Sequence, residues 1–133
     1  MKLRSYGLVV ALAVAIQILG CGSNQKLESI NVTPATVIFG AADPGLHAQL
    51  TATGVYTHPP ATKDITNQVT WASSITQVAQ VSSTGLVSPN TNCGVANISA
   101  SITTNQPNGN VVSGTATVTV DGPASSNCPT STP

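Results

Sequence analysis

Ten residues near the end of the chain, Val111 to Val120, read VVSGTATVTV, and their alternation restricts the fold more than any other feature. Side chains along an extended strand point to opposite faces in turn, so Ala116, Val118 and Val120 share one face while Thr115, Thr117 and Thr119 share the other. A helix would scatter both sets around its circumference. The same rhythm recurs upstream. Ala96, Ile98, Ala100 and Ile102 alternate with Asn97, Ser99 and Thr103, and Leu46, Ala48, Leu50 and Ala52 alternate with His47, Gln49, Thr51 and Thr53. Ile30 and Val32 alternate with Asn31 and Thr33, Pro34 ends that strand by removing a ladder donor, and Val37 to Phe39 resumes it. Val69 and Trp71 share a face, and Ala79 and Val81 flank an outward Gln80. Ser82 to Thr84 reads as a turn leading into Gly85-Leu86-Val87.

These runs predict an all-β fold of about seven short antiparallel strands packed as a sandwich. Thr57 to Ala61, with Pro59-Pro60, and Thr104 to Asn110, rich in Gly, Asn and Pro, are expected as loops. The core is expected to hold Ile30, Val32, Leu50, Val69, Trp71, Val81, Ile98 and Val118. Gly85 and Gly94 stand where tight turns favour positive φ.

Length and charge then remove whole classes. At 133 residues the chain has room for one domain. Only 6% of residues are charged, and no cluster of Lys or Arg could displace counterions from a phosphate backbone, which excludes nucleic acid as a partner. Low charge also fits a disordered chain, but 41% of residues are hydrophobic and fall in alternating runs, which argues for a packed core.

The first 20 residues read as a signal peptide. Lys2 and Arg4 precede an apolar run from Leu8 to Leu19, too short for a helix to cross a hydrocarbon core of about 30 Å. The junction Ile18-Leu19-Gly20-Cys21 resembles the bacterial lipobox, although Leu19 is a less usual residue at its position. That resemblance implies lipidation of the Cys21 thiol and cleavage before it, leaving residues 21–26 as a lipidated cysteine and a polar tether. An ordinary cleaved signal or an uncleaved membrane helix is the bland alternative. Gly22 rather than Asp after the cysteine implies, by the same resemblance, sorting to the outer membrane. Past the leader, Lys26 and Lys63 stand against Glu28, Asp43, Asp64 and Asp121, a net charge of about −2.

Residues 27–120 resemble the bacterial immunoglobulin-like group 2 family, known from invasin- and intimin-type adhesins. The likeness rests on several blocks in order: LESINVTPATVIFG, LTATGVY, KDITNQVTWASS, QVAQVSSTGLVSP, GVANISASI and TATVTV. It implies an immunoglobulin-like β-sandwich with Trp71 as the large apolar body between two sheets. The sequence departs from the pattern at Thr57 to Pro60, where His58-Pro59-Pro60 replaces a small polar turn, and in the long loop before the last strand. His58 and Asn108 in those loops are the candidate binding residues.

With Cys21 lipidated, Cys93 and Cys128 form an even number in an oxidising compartment and are expected to pair. Cys93 precedes the penultimate strand and Cys128 follows the last, so antiparallel neighbours would bring them to one end. The bond would contribute roughly 3–4 kcal/mol on the chain-entropy account, less if the tail is mobile. Free redox thiols are the alternative, without the Cys-x-x-Cys spacing. Residues 121–133 read as a disordered or disulfide-pinned tail.

No catalytic constellation stands out. His47 alternates outward and His58 sits beside two prolines; neither forms metal-ligand spacing with the few carboxylates, and Ser73-Ser74 and Ser82-Ser83 lack a nucleophile's partners. The expectation is a non-enzyme without metal or cofactor. Two functions remain: a binding or adhesion module displayed from the cell envelope through its lipid anchor, touching an envelope protein or carbohydrate, or a structural spacer without a dedicated ligand. Stalks built from such domains use tandem copies, and no repeat of 27–120 is present, which favours interaction.

Overall fold

The computed structural model describes residues 25–105 and 108–122. Ten strands run through them: β1 (Lys26–Thr33), β2 (Thr36–Phe39), β3 (Ala48–Gln49), β4 (Thr51–Thr57), β5 (Ala61–Asp64), β6 (Thr70–Ser73), β7 (Ala79–Val81), β8 (Leu86–Pro89), β9 (Gly94–Thr103) and β10 (Val111–Val120). They form an all-β sandwich of three sheets, ordered β1-β4-β5, β2-β10-β9-β6 and β3-β8-β7. Among the described residues no helix is long and apolar enough to cross a membrane. The expected leader, lipidated Cys21 and the tail beyond Gly122 lie outside the described residues.

The framework is the β9–β10 hairpin, paired without interruption from Gly94↔Val120 to Thr103↔Val111. Its inward residues Ala96, Ile98, Ala100, Ala116, Val118 and Val120 are all buried, as alternation requires. They join Leu27, Ile30, Val32, Val37, Phe39, Leu50, Ala52, Ile65, Val69 and Val87 in one apolar cluster. Each fully buried Leu, Ile or Val contributes about 1.5–3 kcal/mol relative to exposure. Of the eight expected core residues, six are buried, while Trp71 and Val81 are half-buried and pack against the cluster.

Ten strands rather than about seven result from three local departures. First, β1 ends at Thr33 as expected, but the segment after Pro34 does not resume it: β2 joins the other large sheet and pairs with β10, in parallel, from Thr36↔Thr117 to Phe39↔Val120. Second, the run expected as one strand over 46–53 is broken at Leu50. Ala48 and Gln49 pair with β8, whereas Thr51 onward pairs with β1. Leu50 donates its N–H to Gly85 O at 2.8 Å, and the Gln49 amide donates to Leu50 O and Thr84 O, so the backbone groups at the change of sheet are satisfied. Leu46, at the start of that run, is exposed. Third, Ala61–Asp64 is a strand, paired with β4 from Tyr56↔Ala61 to Thr53↔Asp64. It has no fully buried side chain, so it carries no alternating apolar signal.

Two glycines mark backbone approaches that a side chain would block. Gly85 turns at φ +80, and an added Cβ would stand 2.6 Å from Leu50 O and 2.9 Å from Trp71 Cζ2. At Gly114 the strands β1 and β10 of different sheets lie so close that a Cβ would meet Ile30 O at 2.2 Å.

Candidate functional site

Among the described residues, open clefts lie on one flank and at one end of the sandwich. On the flank, β6 closes the four-stranded sheet and β7 closes a three-stranded one, and these two terminal strands face each other across a groove of about 530 Å³. Trp71, Ala72, Ser73, Thr76, Gln80 and Val81 line it. The groove exists because the strands it separates belong to different sheets and have no ladder between them.

Trp71 seals the floor of that flank. Its indole Nε1–H donates to Thr66 O at 2.9 Å, and its Cζ2 edge lies against Gly85. Anchored at both sides, the ring is half-buried rather than enclosed between two sheets, because β6 is a sheet edge and has no strand beyond it to cover its side chains. Val81 is half-buried for the same reason, at the edge strand opposite.

The support under Trp71 is a small polar network that the sequence pattern did not reveal. Thr66 is buried; its Oγ1 accepts from Ala52 N at 2.9 Å, and its own N–H donates to Asp64 Oδ1 at 2.9 Å. The Thr66 side chain and amide, both hydrogen-bonded to the carboxylate, hold Asp64 below its ordinary pKa. An acid two residues before a threonine is the local signature of such an Asx turn, and Asp64-Ile65-Thr66 carries it.

The end of the sandwich gathers two hairpins. Lys26 at the start of β1 opposes Thr57, so the β4–β5 hairpin with His58, Pro59 and Pro60 lies at that end. Thr103 opposes Val111 there too: one cleft of about 320 Å³ is lined by Gln25, Lys26 and Tyr56 together with Thr103, Thr104 and Asn105. A second, of about 350 Å³, lies on the other side of β1 beside Asn110 and Val111. His58 is exposed with φ +58, and Asn108 is exposed in the β9–β10 hairpin. The structure thus places both candidate binding residues at one end, but neither lines these clefts. Missed by sequence reasoning is the cluster beside them: Lys63 Nζ donates to Gln25 Oε1 and stands 4.9 Å over the Tyr56 ring, while Gln25 Nε2 donates to Pro59 O at 3.2 Å. Both Lys63 and Gln25 are remote in sequence, and only the β1–β4–β5 order unites them.

His47 is exposed ahead of β3. Cys93 is half-buried in the turn before β9, at the opposite end from His58, where Gly94 pairs with Val120; Cys128 lies outside the described residues. Among the described residues no group of three or more His, Cys, Asp or Glu is placed to hold a metal ion. No protein family matches this chain, and no curated protein matches it in sequence.

Proposed function

We propose that this is a cell-envelope lipoprotein displaying one immunoglobulin-like domain of the group 2 type, and that the domain is a non-catalytic binding module. The leader pattern ending in Ile18-Leu19-Gly20-Cys21 supports export and lipid anchoring, and the all-β sandwich supports the family resemblance. The observation that carries the binding role is the β6–β7 groove. Two terminal strands with one free edge each border a cleft floored by the lone tryptophan. Such an edge accepts an extended segment of a partner by main-chain pairing, with specificity from the neighbouring side chains. The ligand is therefore an extended stretch of another envelope protein.

A photo-crosslinking residue at Gln80 of the full chain, expressed in cells, tests this. It is expected to trap a discrete envelope protein that the same residue at Asp43 does not. Identical patterns at both positions would refute it, and saccharide adducts at Gln80 alone would redirect the groove to carbohydrate. For the anchor, globomycin is expected to accumulate unprocessed precursor, and normal processing would count against it.

The tail is proposed to be fixed by a Cys93–Cys128 bond. With Cys21 lipidated, Cys93 and Cys128 are the two cysteines left, and the register sets Cys93 beside the end of β10, which Cys128 follows in sequence. Intact mass rising by about two hydrogen atoms on reduction, with Cys93 and Cys128 peptides joined before it, is the expected result.

A further inference from the structure

We infer that the end of the sandwich bearing Lys26, Lys63 and the His58 hairpin rests on the headgroups of the bilayer that holds the anchor, so that the opposite end is the one presented to the surroundings. This rests on the lipoprotein reading of Cys21. Three residues lie between Cys21 and Gln25, and the four fully extended steps that join them span at most about 14 Å. Gln25 is itself tied to the β4–β5 hairpin through Lys63 and Pro59, so the tether cannot swing that end away without breaking those bonds. The hairpins at this end are therefore confined within a short distance of the lipid surface.

Charge is distributed to match. Both lysines that follow the leader are here, Lys26 exposed at the start of β1 and Lys63 exposed on β5. Each has an acid close by: Glu28 stands two residues from Lys26 on β1, and Asp64 directly follows Lys63 on β5. Asp121 follows β10 at the far end, and Asp43 is in the loop that leaves β2 there, with no described lysine or arginine at that end. Val111, 63% exposed at the near end, adds an apolar residue at headgroup depth. The polarity thus runs from balanced charge at the tether to acid alone at the far end, so a surface carrying anionic lipid repels the far end and not the near one.

The experiment uses the full lipidated protein in vesicles of phosphatidylethanolamine and phosphatidylglycerol, with hydrogen exchange compared against detergent micelles. Peptides around Thr57 and Val111 are expected to exchange about threefold or more slowly on the vesicles, with those around Asp43 unchanged. Lys26→Glu with Lys63→Glu, checked for native folding by circular dichroism, should erase that difference, as should about 0.5 M salt. Mass spectrometry of the N-terminal peptide separates the two claims. Absence of lipid on Cys21 would overturn both readings; lipid present with equal protection at the two ends would overturn this one alone.

Discussion

The two flanks of the sandwich are closed by different means. Where β1 crosses β10, main chain meets main chain, and Gly114 leaves no room for even a methyl group. Where β6 faces β7, a single indole does the closing, held by a hydrogen bond to Thr66 O, by its edge against Gly85 and by packing on the apolar cluster. Backbone contact fills space completely and leaves nothing for a ligand to enter. Side-chain closure leaves a groove of about 530 Å³. The open space between the sheets therefore lies where they are sealed by a side chain and not by backbone, and the two flanks should respond differently to substitution.

The largest effect is expected at the tight flank. Gly114→Ala must push β1 off β10, at a cost of about 4 kcal/mol in chemical denaturation, with little change in Trp71 emission while the protein remains folded. A cost under about 1 kcal/mol would mean the flank yields easily, and the contrast would dissolve. Gly85→Ala combines a positive φ with contact against Leu50 O and the indole, and is expected to cost about 3 kcal/mol while shifting Trp71 fluorescence. Trp71→Ala is expected to cost about 2 kcal/mol, less than a fully enclosed tryptophan, and to widen the groove so that an apolar dye binds. The smallest effect concerns Asp64. Because its folded pKa is depressed, its contribution to stability is full above the ordinary carboxylate range and is lost as pH falls through the lower folded value. Asp64→Asn should flatten that acid limb of a stability-against-pH curve; an unchanged limb would show that the Asx turn carries no charge dependence.

How far these features could be read in advance depended on whether a residue's fate was set by its own strand. β10 was legible to its last residue, and β9 nearly so, because both lie inside a sheet with one face on the core. The break at Leu50 was not, since the apolar alternation continues through it while the pairing partner changes from β8 to β1, and pairing is a long-range fact. β5 was hidden by its composition: Ala61-Thr62-Lys63-Asp64 has no buried face to show. Trp71 was placed on the correct face but too deep, because nothing local says that β6 is the last strand of its sheet. The same ignorance concealed the groove. His58 and Asn108 drew attention as unusual loop residues, whereas the strongest candidate surface is made of ordinary strand residues whose neighbour is missing.

The parallel pairing of β2 with β10 has a mechanical consequence. The described domain begins at one end with Lys26 and leaves β10 at the other with Val120, so tension applied between these two points runs along the strand axes. Under that load β2 slides against β10 in shear, and the bonds of their ladder must rupture together rather than peel one at a time. A domain strung this way resists a brief tug far better than its modest size suggests, and resistance of that kind is governed by the rate of unfolding rather than by equilibrium stability.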